Sequence, residues 1–212
     1  MPFDAVNAGR FRAKNSTCSD KRFPMLLSGH DRLPTIETPR LKIRWLNATD
    51  TEDLFAIFGD PEVCRYWSRP PLADRSGAEA LHAEIVGSFK ERSLFQWGVA
   101  DRASDRVVGT CTLASLSELH QRAEIGFALV RSAWGKGFMA EAVPAVLHFG
   151  FETLGLHRIE ADVDPRNTRS IRLLEQKGFV REGYLRQRYY QNDEWQDAIL
   201  YGLLRSESRP YP

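Results

Sequence analysis

The segment Ala123–Glu141, AEIGFALVRSAWGKGFMAE, is the strongest constraint on what this chain can become. Ala123–Val130 has the make-up of a strand, and a turn through Arg131-Ser-Ala-Trp134 follows it. Gly135-Lys136-Gly137 then opens a helix that continues through Phe138, Met139, Ala140 and Glu141. Backbone approaches an anion closely only where no Cβ intrudes, which the two glycines allow. The first N–H groups of a helix lack intrahelical partners and carry the positive end of its dipole. A strand leading into such a turn predicts a phosphate cradle, with Arg131 and Lys136 adding positive charge at its rim.

The rest of the composition narrows the class. A chain of 212 residues suits one domain with a substantial core and short extensions. Its formal charge of +1 argues against a dominant nucleic-acid-binding face. No apolar run reaches bilayer length; AVPAVLHFGF is the nearest and contains His148, so no membrane partner is expected. Cys18, Cys64 and Cys111 are odd in number and lack C-x-x-C spacing, and the five histidines show no ligand spacing. Neither a disulfide framework nor a metal site is predicted, and a cytoplasmic location follows from the cysteine usage.

Taken in order, residues 1–33 show no periodicity and predict a flexible N-terminal extension, with Met25 a candidate for the true start. A domain over 34–206 and a tail over 207–212 complete the expected organisation. Thr35–Leu46 alternates apolar and basic residues as a half-exposed strand should, and Asp50 is placed to cap a helix ending before Gly59. A longer helix is predicted from about Ser76 to Arg92, then strands Phe95–Ala100, Arg106–Leu116 and Ala123–Val130 as a meander. Phe138–Leu154 has helical spacing with a kink expected at Pro144, where an intrahelical hydrogen bond is lost. Strand His157–Val163 and helix Asn167–Lys177 follow, and Phe179–Tyr190 with Trp195–Leu204 predicts a closing hairpin.

Gly135-x-Gly137-x-x-Ala140 also fits a dinucleotide fingerprint, with Glu160 downstream to hold a ribose. Four residues, Arg131–Trp134, separate its first glycine from the strand, and the meander before it is antiparallel in pattern. Both weigh against that fold, and a Walker loop is absent. A second block, Asp164–Phe179, contains N-x-x-S and then L-x-x-x-G-F after a strand. Asn167 is placed either to cap the helix or to offer its amide to a ligand, and Ser170 lies one turn later on the same face. A third block joins E-G-x-L-R at Glu182–Arg186 to W-x-D at Trp195–Asp197.

The R-x-x-x-G-x-G loop after a strand resembles the acetyl-CoA pyrophosphate loop of the GNAT N-acetyltransferase superfamily. With E-T-P-R-L at Glu37–Leu41, D-P-E-V at Asp60–Val63 and the other two blocks, the chain is most similar to its RimJ/RimL branch, which acetylates protein N-termini. The resemblance spans about residues 35–205. It implies a mixed α/β fold: a central, mostly antiparallel twisted sheet with splayed fourth and fifth strands, flanked by helices. By match those strands are Ala123–Val130 and His157–Val163. It implies acetyl-CoA as co-substrate, held by Leu129, Val130, Arg131, Trp134, Gly135, Lys136, Gly137, Phe138, Met139, Asn167 and Ser170, and no metal.

The implied reaction is direct acetyl transfer in a ternary complex to a primary amine, with an N-terminal α-amine of a ribosomal or other protein as the favoured acceptor. A small amine such as an aminoglycoside or polyamine is the alternative. Outside the class stand a Rossmann-type oxidoreductase and a non-catalytic acyl-CoA-binding module. Glu124 matches the family's acidic residue and is the first candidate for general base, followed by Glu160 and His120. Ser170 stands where many relatives carry a tyrosine that protonates the leaving thiolate. Tyr66, Trp67, Trp97, Tyr189 and Tyr190 are candidates to line the acceptor pocket, and either a monomer or a homodimer is compatible with the chain.

Overall fold

The computed structural model describes residues 30–208 other than Ser68 and Asn192. The proposed extension before residue 30, with Met25 and Cys18, therefore lies outside the described residues. The strands are β1 (Ile36–Glu37), β2 (Leu41–Arg44), β3 (Leu94–Asp101), β4 (Val107–Ser117), β5 (Arg122–Leu129), β6 (Arg158–Val163), β7 (Val180–Gln191) and β8 (Glu194–Leu204). The helices are α1 (Thr51–Phe58), α2 (Pro61–Cys64), α3 (Arg75–Lys90), α4 (Phe138–His148) and α5 (Thr168–Gln176). The strands form one sheet in the order β1-β2-β3-β4-β5-β6-β8-β7. Every neighbouring pair is antiparallel except β5–β6. This is the mixed α/β sheet expected, and it is incompatible with the parallel, doubly wound sheet of the dinucleotide alternative.

Helices cover both faces of the sheet. Met139, Ala142, Val143 and Val146 of α4 and Leu174 of α5 share one core with Ile43, Trp97, Val99, Cys111, Leu113 and Ile125. Leu54 and Ile57 of α1 and Ala78 and Ile85 of α3 share a second with Leu46, Ala100, Val107 and Ala128. Leu33, which the sequence reading placed in the extension, is 2% exposed in the first core, and Pro34 O accepts a hydrogen bond from Trp97 Nε1 at 3.1 Å.

Two expectations are corrected. Thr35–Leu46 is a hairpin rather than one strand: β1 turns at Thr38-Pro39-Arg40 and pairs with β2, Ile36 opposite Ile43. Alternation is the same on both arms, so only Pro39, which has no N–H for a ladder, marks the turn. Asp50 stands at the N-cap position of α1, but its side chain makes no capping bond to that helix. Its carboxylate instead accepts from both Arg44 Nη1 (2.8 Å) and Nη2 (2.9 Å) and from Asn47 N (2.7 Å). Burial alone would raise that carboxyl; the Arg44 and Asn47 bonds outweigh it and hold it below the usual carboxylate range. At Pro144, where a kink was expected, α4 continues as helix to His148, and a π-helical turn follows over Phe149–Thr153. The wide turn buries Phe149, Gly150 and Phe151 together, with a Cβ on Gly150 only 3.0 Å from Ile159 Cδ1.

Candidate active site

The site is built around the one parallel pair. β5 and β6 are in register only at Arg122–Arg158, Ala123–Ile159 and Glu124–Glu160, after which they diverge. β5 remains paired with β4 along its other edge. Val130 N donates to Val108 O at 2.8 Å, so this amide is consumed and cannot serve a ligand as expected. Successive N–H groups of a strand point to opposite edges, which turns those of Phe127 and Leu129 toward the gap between β5 and β6. The Leu129 carbonyl is held by Trp134 Nε1 at 2.7 Å.

Beyond β5 the chain makes a tight turn over Arg131–Ala133, in which Ala133 N and Trp134 N are satisfied by Val130 O and Arg131 O. Gly135 (φ 77°) and Gly137 (φ 76°) then take the left-handed conformation that L side chains avoid. The N–H groups of Gly135, Lys136 and Gly137 give no hydrogen bond to any described residue. Nothing lies within 4 Å of where a Cβ would stand on Gly135. Arg131 is drawn aside into an ion pair with Asp60 (3.1 Å), and neither Arg131 nor Lys136 lines the adjoining cavity.

That cavity, of about 760 Å³, is lined by Leu129, Trp134, Gly135, Gly137, Phe138 and Met139 on one side and by Arg166, Asn167, Arg169 and Ser170 on the other. Arg169 lies over the Trp134 ring at 4.4 Å. Asn167 is the N-cap of α5, its Oδ1 accepting from Ser170 N at 3.2 Å, so the capping role is real. A second cavity of about 340 Å³ lies on the other side of the gap, and Tyr66, Phe127, Asn167 and Ser170 line both.

Glu124 lines the smaller cavity. Burial pushes its carboxyl up, and the neighbouring Asp162 and Glu160 add to the shift. Glu160 has both oxygens occupied, by Arg122 Nη1 (2.6 Å) and Arg158 Nε (2.7 Å), and lines neither cavity. His120 is exposed in the β4–β5 turn, outside both cavities. Tyr66, Trp67 and Tyr189 do line the smaller cavity; burial and its bond to Asp162 (2.6 Å) push the Tyr189 phenol up to about 12. Trp97 does not, being fully buried against Phe149, because its face of β3 is the one under α4. Tyr190 is exposed, its ring tilted at 56° against Trp195 near the tip of the last hairpin.

The sequence matches the acetyltransferase (GNAT) domain family over residues 40–180. The chain belongs to the GNAT family. "Uncharacterized N-acetyltransferase YoaA" of Bacillus subtilis (strain 168) is 35% identical to this GNAT protein, over 81% of the chain and 97% of the relative. A GNAT-family acetyltransferase structure from Bacillus anthracis superposes with a TM-score of 0.74 at 27% identity, covering 82% of this chain and all of that one. Two other relatives carry named acceptors. The [ribosomal protein uS5]-alanine N-acetyltransferase of Escherichia coli (strain K12) is 27% identical over 82% of the chain and 93% of its own length. The spermidine N(1)-acetyltransferase of Vibrio cholerae is 26% identical over 79% and 95%. The chain is accordingly an acetyl-CoA-dependent N-acetyltransferase. Among the described residues no helix is long and apolar enough to cross a membrane.

One residue of this GNAT domain holds the glycine loop from far away in sequence, a contact that the E-T-P-R-L block did not reveal. Arg40, in the β1–β2 turn, donates to Lys136 O (2.9 Å) and Gly137 O (3.3 Å) and pairs with Glu141 (2.7 Å). Its guanidinium also lies over Phe138, 5.0 Å from the ring centre. Glu141 is fixed in turn by Thr38 Oγ1 (2.5 Å) and Arg40 N (2.8 Å). Burial raises the Glu141 carboxyl, but these bonds outweigh it and keep it below the usual range. By holding the loop carbonyls on one side, Arg40 leaves the amides for the other. Arg40→Ala should therefore raise the KM for acetyl-CoA about tenfold, roughly one lost charge-assisted bond, with kcat at saturation little changed. Steady-state kinetics with acetyl-CoA varied would check this, and Arg40→Lys should recover part of the loss.

Proposed function

We propose that the enzyme acetylates the α-amine of a protein or peptide by direct transfer with both substrates bound, Glu124 acting as general base through a water. The observation that carries this is the position of Glu124. It lines the smaller cavity and belongs to the last pair at which β5 and β6 are in register, Glu124–Glu160, and Tyr66, Phe127, Asn167 and Ser170 line both cavities.

The larger cavity has what coenzyme A asks for. Gly135, Lys136 and Gly137 offer unspent amides to a diphosphate, and Arg169 and Arg172 put positive charge on the opposite wall. The Phe127 and Leu129 amides face the gap, where they would bind the pantetheine arm or the developing oxyanion. When bound, acetyl-CoA supplies an activated acyl carbon and a thiol of pKa about 8.5 that departs readily. Ser170, on the wall shared by the two cavities, is placed to hydrogen-bond that departing sulfur.

The choice of amine follows from energetics. At pH 7 an α-amine of pKa about 8 costs about 1.4 kcal/mol to neutralise, against about 4.6 kcal/mol for a lysine of pKa about 10.4. A carboxylate working through one water suits the former. The uS5-alanine relative and the RimJ/RimL-like blocks point the same way. A small polyamine is the second reading, favoured by the spermidine relative and by the acidic lining of the smaller cavity, which includes Glu84, Asp162, Asp164 and Asp197 beside Glu124.

The test is release of free thiol from acetyl-CoA with a panel of acceptors: alanyl and seryl peptides, lysine-bearing peptides with blocked N-termini, spermidine and an aminoglycoside. Highest kcat/KM with a free N-terminus is the expected result. Highest turnover with spermidine would move the acceptor to the second reading, and no release with any amine would refute the enzyme.

A further inference from the structure

The floor of the smaller cavity is a patch of sheet with a chemical pattern. Side chains of a strand alternate between faces, so Glu124 and Gly126 of β5 share a face. Register places Thr112 of β4 opposite Gly126, and Gln96 of β3 opposite Thr112. The row Gln96–Thr112–Gly126 thus crosses three strands beside the row that holds Ala114 and Glu124, and all five residues line the cavity.

Gln96 and Thr112 are each 5% exposed. Gln96 Nε2 and Thr112 Oγ1 nevertheless have no hydrogen-bond partner among the described residues. Polar groups buried to this extent are almost always paired, so an orphaned pair on a cavity wall points to a partner that arrives with a ligand. Gly126 keeps the adjoining floor open: a Cβ there would meet only Trp67 Cη2, at 3.8 Å.

Gln96 Nε2 can only donate and Thr112 Oγ1 can donate or accept, so one acceptor oxygen can serve both. A protonated polyamine has only donors to offer and would leave Gln96 Nε2 unsatisfied. An amine with an oxygen close by does not. Two residues along a strand is about 7 Å, a distance that an amine and a nearby oxygen span once each has made its own hydrogen bond. We propose that Gln96 and Thr112 select the acceptor, binding an oxygen next to its amine, as in an aminoacyl or amino-alcohol group, while Glu124 in the neighbouring row takes the amine. This rests on the transferase reading above and adds the substrate feature it must recognise.

The experiment compares an alanyl peptide, ethanolamine, propylamine and spermidine as acceptors for the wild type, Gln96→Met, Thr112→Val and Thr112→Ser. The wild type should prefer the peptide over propylamine and spermidine in kcat/KM. Each of Gln96→Met and Thr112→Val should shrink that preference about tenfold, the worth of one hydrogen bond, and Thr112→Ser should restore it. Ethanolamine tells whether a hydroxyl serves as well as a carbonyl. An acetyl-CoA-induced rise in melting temperature equal to the wild type's shows that each variant folds and binds coenzyme. Wild-type kcat/KM for propylamine or spermidine equal to that for the peptide would overturn the proposal, as would variants that lose all acceptors in equal proportion. No thiol release with any amine would overturn the transferase reading itself, and this inference with it.

Discussion

Gly137→Val should weaken acetyl-CoA binding about a hundredfold, roughly 2.7 kcal/mol, while the protein still folds. The glycine sits at φ 76°, where a β-branched side chain is sterically excluded, so the loop must leave its conformation to accept valine. A new Cβ would stand 3.5 Å from Arg40 Nη2, in ordinary contact, so the expected effect comes from the backbone strain. Turning aside even one or two amides from a diphosphate forfeits charge-assisted bonds of about 1.5–3 kcal/mol each, enough for the expected loss. Calorimetric titration with acetyl-CoA measures it directly. Gly155→Val provides the control: Gly155 has φ 68° and lines neither cavity, so the same backbone strain should lower the melting temperature and spare the affinity. Equal affinity in Gly137→Val and wild type would remove the loop from coenzyme binding.

Glu124→Gln should lower kcat/KM for the acceptor about 10²- to 10⁴-fold and leave acetyl-CoA affinity intact, the range expected for loss of a general base. The pH dependence separates this from a packing defect. Burial and the nearby Asp162 and Glu160 hold the Glu124 carboxyl above the usual carboxylate range. The competent base is the ionised form, so wild-type kcat/KM should climb as pH rises through that elevated value, and the glutamine variant should lack this limb. Stability should move oppositely. A carboxyl whose pKa is raised by folding contributes stability below its unfolded pKa and loses it as pH rises through the folded one. At neutral pH the neutral glutamine is therefore the better-tolerated group, and Glu124→Gln should melt higher than wild type while turning over far more slowly. Unchanged turnover would exclude Glu124 as base.

What could be foreseen from sequence was whatever is encoded within one stretch. Gly135 and Gly137 announce a left-handed loop by themselves, and Asn167 with Ser170 announces a helix start, because capping and close approach need particular residues at fixed offsets. The splayed pair was reached through family likeness, since no residue of β5 or β6 marks where their pairing stops. Misreadings fell where local pattern was ambiguous. The two arms of the β1–β2 hairpin alternate alike, and Asp50 found a stronger partner in Arg44 than in the α1 backbone. Gln96 and Thr112 were not legible at all, and Arg40 was visible only as a member of the E-T-P-R-L block, with no sign of what it touches. Arg40 is 96 residues from the carbonyl of Lys136 that it holds, and Gln96 and Thr112 look like ordinary strand residues until register sets them beside Glu124.

The short seam between β5 and β6 carries a mechanical consequence. Three residue pairs join the strands there, yet one buried core runs beneath both sides, with Trp97, Cys111 and Ile125 on one and Ile159, Val163 and Tyr201 on the other. The notch is thus opened in the hydrogen-bonded ladder alone, over a foundation that does not divide. A molecule seated in it meets two strand edges already fixed by the packing below, a preformed slot whose amides need little reorganisation.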